Sequence, residues 1–186
     1  MLRIPLLLAV FALALPAADP VYESARHKLD LIDGRQAKPG SVIVFTPDEI
    51  NTWARVRFPE IVPEGIRDPR AELGTNTGTG YAMVDFLKLR HAKGEATNSL
   101  LAKLIEGERL VKATVRVQSG GGRCTVYLTR IAVSNVVTEG PVLDFLIKTF
   151  FLPLYPDAKI NEPFELGYNI ERIDLRPSGV RVTIKK

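Results

Sequence analysis

The chain has 186 residues, 46% of them hydrophobic, which is enough for one domain with its own core. Its 25 Lys and Arg residues and 21 Asp and Glu residues leave a net charge of only +4, whereas nucleic-acid binding calls for a larger positive excess with interleaved aromatic residues. A single cysteine, Cys124, excludes an internal disulfide, so stability must come from the hydrophobic core.

The N-terminal segment has the order of parts of a secretion signal. Arg3 supplies a positive charge, residues 4–15 are apolar, and Ala17 and Ala18 offer a cleavage site of small residues. The apolar stretch is shorter than the roughly 20 residues that a membrane-spanning helix needs. We therefore predict a signal peptide at 1–18, export to the periplasm or the extracellular space, and a single domain at 19–186.

The next segment predicts a short amphipathic helix followed by a strand. Asp19 and Pro20 suit the N-cap and the first helical position, and apolar residues then recur at helical spacing until Gly34. Residues 41–45 are rich in β-branched and aromatic side chains, as a strand would be.

A capping box marks the start of a second helix. The Thr46 hydroxyl can accept a hydrogen bond from the Glu49 amide, and the Glu49 carboxylate can accept one from the Thr46 amide. The proline that follows Thr46 has its φ already set for the first turn. We predict a helix over 46–58, ended by Pro59 and Pro63.

From residue 66 onward, alternation of apolar and polar residues predicts antiparallel strands. Two phase slips of one residue, between Leu128 and Ile131 and between Ile170 and Ile173, predict β-bulges and therefore bent strands. The predicted strands are 66–73, 80–89, 111–117, 123–136, 166–175 and 180–184, with a loop at 74–79, turns at 120–122 and 176–179, and a helix at 97–106.

Residues 140–156 are unusually apolar for a soluble domain. Pro141 can begin a helix there and Pro153 can end it, which predicts a helix over 141–152. A helix that is apolar on nearly all sides is enclosed in a protein or touches lipid. Both interpretations stay open for its large side chains, which are Phe145, Leu146, Phe150 and Phe151.

No catalytic or metal-binding motif is evident in the sequence. His27 and His91 lie far apart in basic stretches, and a zinc site would be short of ligands. Cys124 alternates with apolar residues, which is typical of a small buried side chain rather than of a nucleophile. The sequence therefore predicts no catalytic residue, no metal and no cofactor.

Two short motifs flank the predicted strands, Phe-Thr-x-x-Glu-Ile-Asn-x-Trp at 45–53 and Pro-Phe-x-Leu at 163–166 before the last hairpin. Together with the strands and the late apolar helix, they resemble the small bacterial envelope relatives of the tubular lipid-binding (TULIP) superfamily over 41–185. In that superfamily a strongly curved antiparallel sheet wraps a long helix and can enclose acyl chains. The resemblance implies lipid or another apolar ligand, but the helices here are shorter and no functional residue carries over.

These observations predict an α+β fold in which a curved antiparallel sheet of six or seven strands packs against two or three helices. The expected function is a non-enzymatic envelope protein that binds lipid or another apolar small molecule through Trp53 and the apolar residues Phe145, Leu146, Phe150 and Phe151. Peripheral contact with a membrane is a further expectation. The alternatives are a protein-interaction or scaffold module without a ligand and, more remotely, a hydrolase whose site the sequence does not reveal.

Overall fold

A computed structural model of the chain describes residues 19–62, 64–86, 88, 107–134, 136–138 and 159–186. The predicted signal peptide at 1–18 lies outside these residues. So do the predicted helices at 97–106 and 141–152. The architecture below refers to the described residues alone.

The described residues form two helices and nine strands, which confirms the prediction of an α+β fold with antiparallel pairing. The helices are α1 (Pro20–Asp33) and α2 (Pro47–Ile61). The strands are β1 (Val42–Phe45), β2 (Ile66–Gly74), β3 (Thr77–Asp85), β4 (Glu108–Gly120), β5 (Arg123–Val133), β6 (Val136–Thr138), β7 (Pro163–Glu165), β8 (Ile170–Arg176) and β9 (Gly179–Ile184).

The strands divide into two sheets and not into the single sheet that was predicted from the sequence. The smaller sheet has the order β1-β9-β8, and the larger has the order β2-β3-β4-β5-β6, with β7 also pairing with β5. The division arises because β1 pairs with β9, near the other end of the chain, and not with the strand that follows it in sequence. The predicted curvature of the sheet stays a prediction.

Both helices begin as the sequence predicts. The Asp19 carboxylate accepts from the Val21 amide at 2.9 Å and caps α1. In α2, the Glu49 amide donates to the Thr46 hydroxyl at 3.2 Å and the Thr46 amide donates to the Glu49 carboxylate at 2.8 Å, so the capping box is complete. The predicted helix end before Pro59 is wrong. Pro59 lies inside α2, where it removes one intrahelical hydrogen bond, and the helix nevertheless continues to Ile61.

The hairpin between β2 and β3 is tighter than expected. Instead of a six-residue loop at 74–79, a two-residue turn joins the strands, with Asn76 in the left-handed region at φ 55°. The glycines that suggested a loop belong to the strands, Gly74 to β2 and Gly78 to β3. A Cβ built at Gly78 would lie 3.4 Å from Leu175 of β8, so this glycine permits a close approach of the two sheets. The predicted turns at 120–122 and 176–179 are confirmed.

Three bulges interrupt the strand ladders. Thr129 is the extra residue in β5 and Glu171 is the extra residue in β8, and both lie where the sequence phase slips. The third bulge lies between Arg67 and Arg70 in β2 and was not predicted.

The main core lies between α1 and the smaller sheet. Its buried side chains are Ile32, Phe45, Ile170, Val182 and Ile184. The smaller sheet joins the larger one through the outer edge of β8. Four hydrogen bonds between described residues make this junction: Asn76 N to Leu175 O at 3.0 Å, Gly121 N to Glu171 Oε1 at 3.0 Å, Gly122 N to Glu171 O at 2.9 Å, and Ile173 N to Ser119 Oγ at 2.8 Å.

Candidate ligand-binding cleft

An open cleft of about 820 Å³ lies between α2 and β2, the outer strand of the larger sheet. This volume falls within the range of small-molecule sites, which is roughly 300–1,000 Å³. The walls are Asn51, Arg55, Phe58 and Pro59 from α2 and Ile66, Arg67, Asp68, Pro69, Arg70, Ala71 and Glu72 from β2.

The Asn51 side chain fixes the helix against the strand at one end of the cleft. Its amide nitrogen donates to the Ala71 carbonyl at 3.0 Å, and its oxygen accepts from the Ala71 amide at 2.7 Å. The same nitrogen donates to the Pro47 carbonyl at 2.9 Å. This amide therefore satisfies the outward backbone groups of Ala71 as a neighbouring strand would, which protects the edge of the sheet.

The β2 bulge shapes the opposite wall of the cleft. Asp68 there adopts φ 53°, in the left-handed region that aspartate tolerates better than most residues. Pro69 follows it, and a proline is accepted here because β2 is an edge strand and the ladder is already interrupted. As Pro69 has no N–H, it presents an apolar ring to the cleft without an unpaired donor.

The apolar part of the cleft comes from both walls. Phe58 and Pro59 contribute from α2, and Ile66, Pro69 and Ala71 contribute from β2. Phe58 and Ile66 are half-buried, so part of each side chain faces the open volume. An apolar ligand could therefore be sheltered from water between these residues.

Two arginines at the rim of the cleft are held by carboxylates. Arg67 pairs with Asp68 and, at 2.6 Å, with Glu108. The hydrogen bond to Glu108 raises the pKa of Arg67. Arg70 lies 3.1 Å from Glu72, and its guanidinium stacks over the Tyr81 ring at 4.3 Å.

Arg55 differs from these arginines. Its guanidinium donates to the Thr52 hydroxyl at 2.9 Å. Among the described residues, no carboxylate lies within salt-bridge distance of it. The cleft thus combines an apolar floor with an exposed cation at its rim.

A second apolar surface covers one face of the larger sheet. The strand register places alternate side chains of β3, β4 and β5 on this face, and most of them are half-buried. Its centre is lined by small residues. Gly80 is exposed, and no described atom lies within 4 Å of a Cβ built there. The apolar and small residues of this face include Gly78, Gly80, Ala82, Val84, Val111, Ala113, Val115, Val117, Cys124, Val126, Leu128, Ile131 and Val133, and Arg109 lies opposite Val84 at its end.

The predicted site residues are not brought together by the described structure. Trp53 is half-buried on α2 but is not one of the residues that line the cleft. Phe145, Leu146, Phe150 and Phe151 lie outside the described residues. The sequence analysis also missed the cleft itself, although Asn51, Arg55 and Phe58 have the spacing of one helix face.

His27 and Cys124 are the described residues that the sequence singled out as candidates for catalysis or metal binding. His27 is exposed, and within the described ranges no group of three His, Cys, Asp or Glu side chains could hold a metal ion. Cys124 is 4% exposed, and burial raises the pKa of its thiol. As the sequence suggested, Cys124 is a small buried side chain.

No protein-family model, curated protein or solved structure matches this chain. Neither fold nor function can therefore be transferred from a relative, and the resemblance to the tubular lipid-binding superfamily stays a prediction. None of the helices in the described part of the chain is long and apolar enough to cross a membrane.

Proposed function

We propose that this chain is an exported, non-enzymatic protein of the cell envelope that binds lipid or another apolar ligand. The observation that carries the proposal is the cleft between α2 and β2, in which Phe58, Ile66 and Pro69 face an open volume. Export rests on the signal predicted at 1–18.

The energetics favour an apolar ligand over a polar one. Covering apolar surface is worth about 25 cal/mol per Å², so hiding 100 Å² would contribute roughly 2.5 kcal/mol on the protein side alone. In contrast, the polar groups of Asn51 are already paired with Ala71 and Pro47, which leaves them little capacity for a polar ligand.

The apolar face of the larger sheet supports the same proposal. Small residues around Gly80, among them Ala82 and Ala113, leave space for a chain or a ring to approach the sheet closely. The rival interpretation treats this face as part of a protein core with no ligand.

Isothermal titration calorimetry with dodecan-1-ol measures the binding directly and needs no reporter side chain, because Trp53 does not line the cleft. The titration should show saturable binding. Substitution Phe58→Ser should weaken this binding by about tenfold, because the loss of a large part of one apolar side chain is worth about 1.4 kcal/mol.

Val56→Ser is the matched control for this substitution. Val56 lies on the same helix, is 46% exposed and does not line the cleft, so its substitution should leave the affinity within about twofold. A protein that shows no saturable response to dodecan-1-ol, or that loses affinity equally in both variants, would overturn the proposal.

A second candidate function, an interaction module, is favoured by the exposed edge of the smaller sheet. Val42 and Val44 of the edge strand β1 are 41% and 39% exposed, and apolar edge strands can pair with another chain. Lys28 covers part of this edge by donating to the Val44 carbonyl at 2.8 Å. A stable dimer in sedimentation velocity, without bound ligand, would favour this function over ligand binding.

A further inference from the structure

We propose that the cleft binds an amphiphile with one acyl chain and a single anionic head group, with the head on Arg55 and the chain on Phe58 and Ile66. This inference rests on the proposed function and adds the chemical class of the ligand. The shared chemistry of the head is a carboxylate or a phosphate, which the guanidinium of arginine binds with two parallel hydrogen bonds.

The choice of an anionic head follows from the partners of the rim charges. Arg67 is engaged by Asp68 and Glu108, and Arg70 is engaged by Glu72 and the Tyr81 ring.

Arg55 has only the Thr52 hydroxyl as a partner among the described residues. A guanidinium carries five N–H donors, so most of its hydrogen-bonding capacity is open to a ligand.

The acidic residues of the cleft do not favour a cationic head. Asp68 is paired with Arg67, and Glu72 both lies 3.1 Å from Arg70 and accepts a hydrogen bond from the Tyr81 hydroxyl at 2.6 Å. A cationic ligand would have to displace the arginines and the tyrosine hydroxyl that already bind these two carboxylates. An anionic ligand meets Arg55, which has no carboxylate partner among the described residues. Charge complementarity therefore selects the anion.

The residue spacing on α2 places the binding site for the head group beside the binding site for the acyl chain. Arg55 is three residues before Phe58 and four before Pro59, so the three side chains share one face of the helix. Ile66 and Pro69 line the wall across the cleft. An anionic group at Arg55 would thus lead directly into the apolar floor.

Four ligands with the same twelve-carbon chain distinguish the contribution of the head group to affinity from that of the acyl chain: dodecanoate, dodecyl phosphate, dodecan-1-ol and dodecyltrimethylammonium. The ionic ligands are titrated below their micelle concentrations and the alcohol below its solubility limit, and isothermal titration calorimetry measures the binding. We expect one or both anions to bind at least about tenfold more tightly than the alcohol, since a charge-assisted hydrogen bond contributes about 1.5–3 kcal/mol. The cation should bind no better than the alcohol.

Arg55→Gln should remove the advantage that the anions have over dodecan-1-ol in affinity. Arg57→Gln is the matched control. Arg57 lies on the same helix, is 2.5 Å from Glu60 and does not line the cleft. Its substitution lowers the net charge by the same amount as Arg55→Gln, but the anions should still bind more tightly than dodecan-1-ol.

Each outcome decides between the two proposals. If the alcohol and both anions bind equally well and all lose affinity in Phe58→Ser, the anionic head is wrong and the proposed function stands. If both arginine variants lose affinity for the anions to the same extent, the effect is one of net charge and the proposed role of Arg55 is overturned. If none of the four ligands binds, the proposed function fails together with this inference.

Discussion

Replacing Glu49 by glutamine should destabilise the protein strongly, because this carboxylate is buried at the junction of α1 and α2. It is 4% exposed. It accepts hydrogen bonds from the Ser24 hydroxyl at 2.6 Å, from the Lys28 ammonium at 2.6 and 2.8 Å, and from the Thr46 amide at 2.8 Å. One carboxylate thereby connects α1 to α2 and completes the cap of α2.

The expected loss follows from the exposure of the two partners. Removing one member of a fully buried ion pair costs about 3–5 kcal/mol, mainly because the other charge stays unpaired. The Lys28 side chain is 27% exposed, so its ammonium can turn toward water and the penalty is smaller. A glutamine oxygen can also still accept from the Thr46 amide. We therefore expect Glu49→Gln to lower the free energy of unfolding by about 2–3 kcal/mol.

Urea denaturation followed by circular dichroism measures this loss, and Asp48→Asn is the matched control. Asp48 is the neighbouring acidic residue in the first turn of α2, but it is exposed. Its substitution removes the same charge and should cost less than about 1 kcal/mol. If both variants lose the same small amount, the buried contacts of Glu49 do not stabilise the junction as reasoned here.

The same carboxylate should contribute to the acid sensitivity of the fold. Burial raises the pKa of Glu49, but the hydrogen bonds from Lys28, Ser24 and the Thr46 amide and the charge of Lys28 outweigh it, so the pKa lies below its ordinary value of 4.5. The folded state therefore holds the ionised form more strongly than the unfolded chain does. The stabilisation is complete above pH 4.5 and is lost as the pH falls through the lowered pKa. Glu49→Gln should flatten this part of the stability profile, and parallel profiles for both proteins would refute the assignment.

Two further predictions concern a backbone contact and the cysteine. Gly179 has φ 140°, and a Cβ built there would overlap the Phe45 carbonyl, so Gly179→Ala should lower the free energy of unfolding by about 2 kcal/mol or more in urea denaturation. Gly167→Ala is its control, since no described atom lies within 4 Å of a Cβ at Gly167, and an equal loss there would contradict the prediction. Cys124 should react slowly with a thiol reagent in the folded protein and rapidly in urea, because the thiol is buried and its pKa is raised; equal rates would show that the thiol is accessible.

The correct sequence predictions share one property, which is that they depend on residues close together in the chain. The Thr46–Glu49 capping box involves residues three positions apart, and each of the bulges at Thr129 and Glu171 shows as a slip within one strand. Such signals need no knowledge of the tertiary structure. They were sufficient for the start of both helices and for the bulges of β5 and β8.

The wrong or missing predictions depend on distant residues. The pairing of β1 with β9 makes a separate sheet, and its register cannot be read from either strand alone. Glu49 meets Lys28 across 21 positions, and Asn51 meets Ala71 across 20. Pro59 illustrates the opposite case, in which a strong local signal was overestimated, since α2 continues past this proline to Ile61.

The candidate cleft was not predicted from the sequence. Trp53, which was predicted to contact the ligand, lies two positions before Arg55, about 200° around the helix from the face that lines the cleft. Arg55 and Phe58 carry a readable helical spacing. Their partners in β2 become apparent only when the bulge at Asp68 and Pro69 lies against them.

Native mass spectrometry of the full chain, extracted gently from an envelope fraction, tests the proposed ligand binding most directly. We predict a species heavier than the polypeptide by the mass of one acyl-chain amphiphile, and Phe58→Ser should reduce its abundance relative to Val56→Ser. A spectrum that shows only the bare polypeptide, as a monomer or as a dimer, would contradict the binding of an apolar ligand.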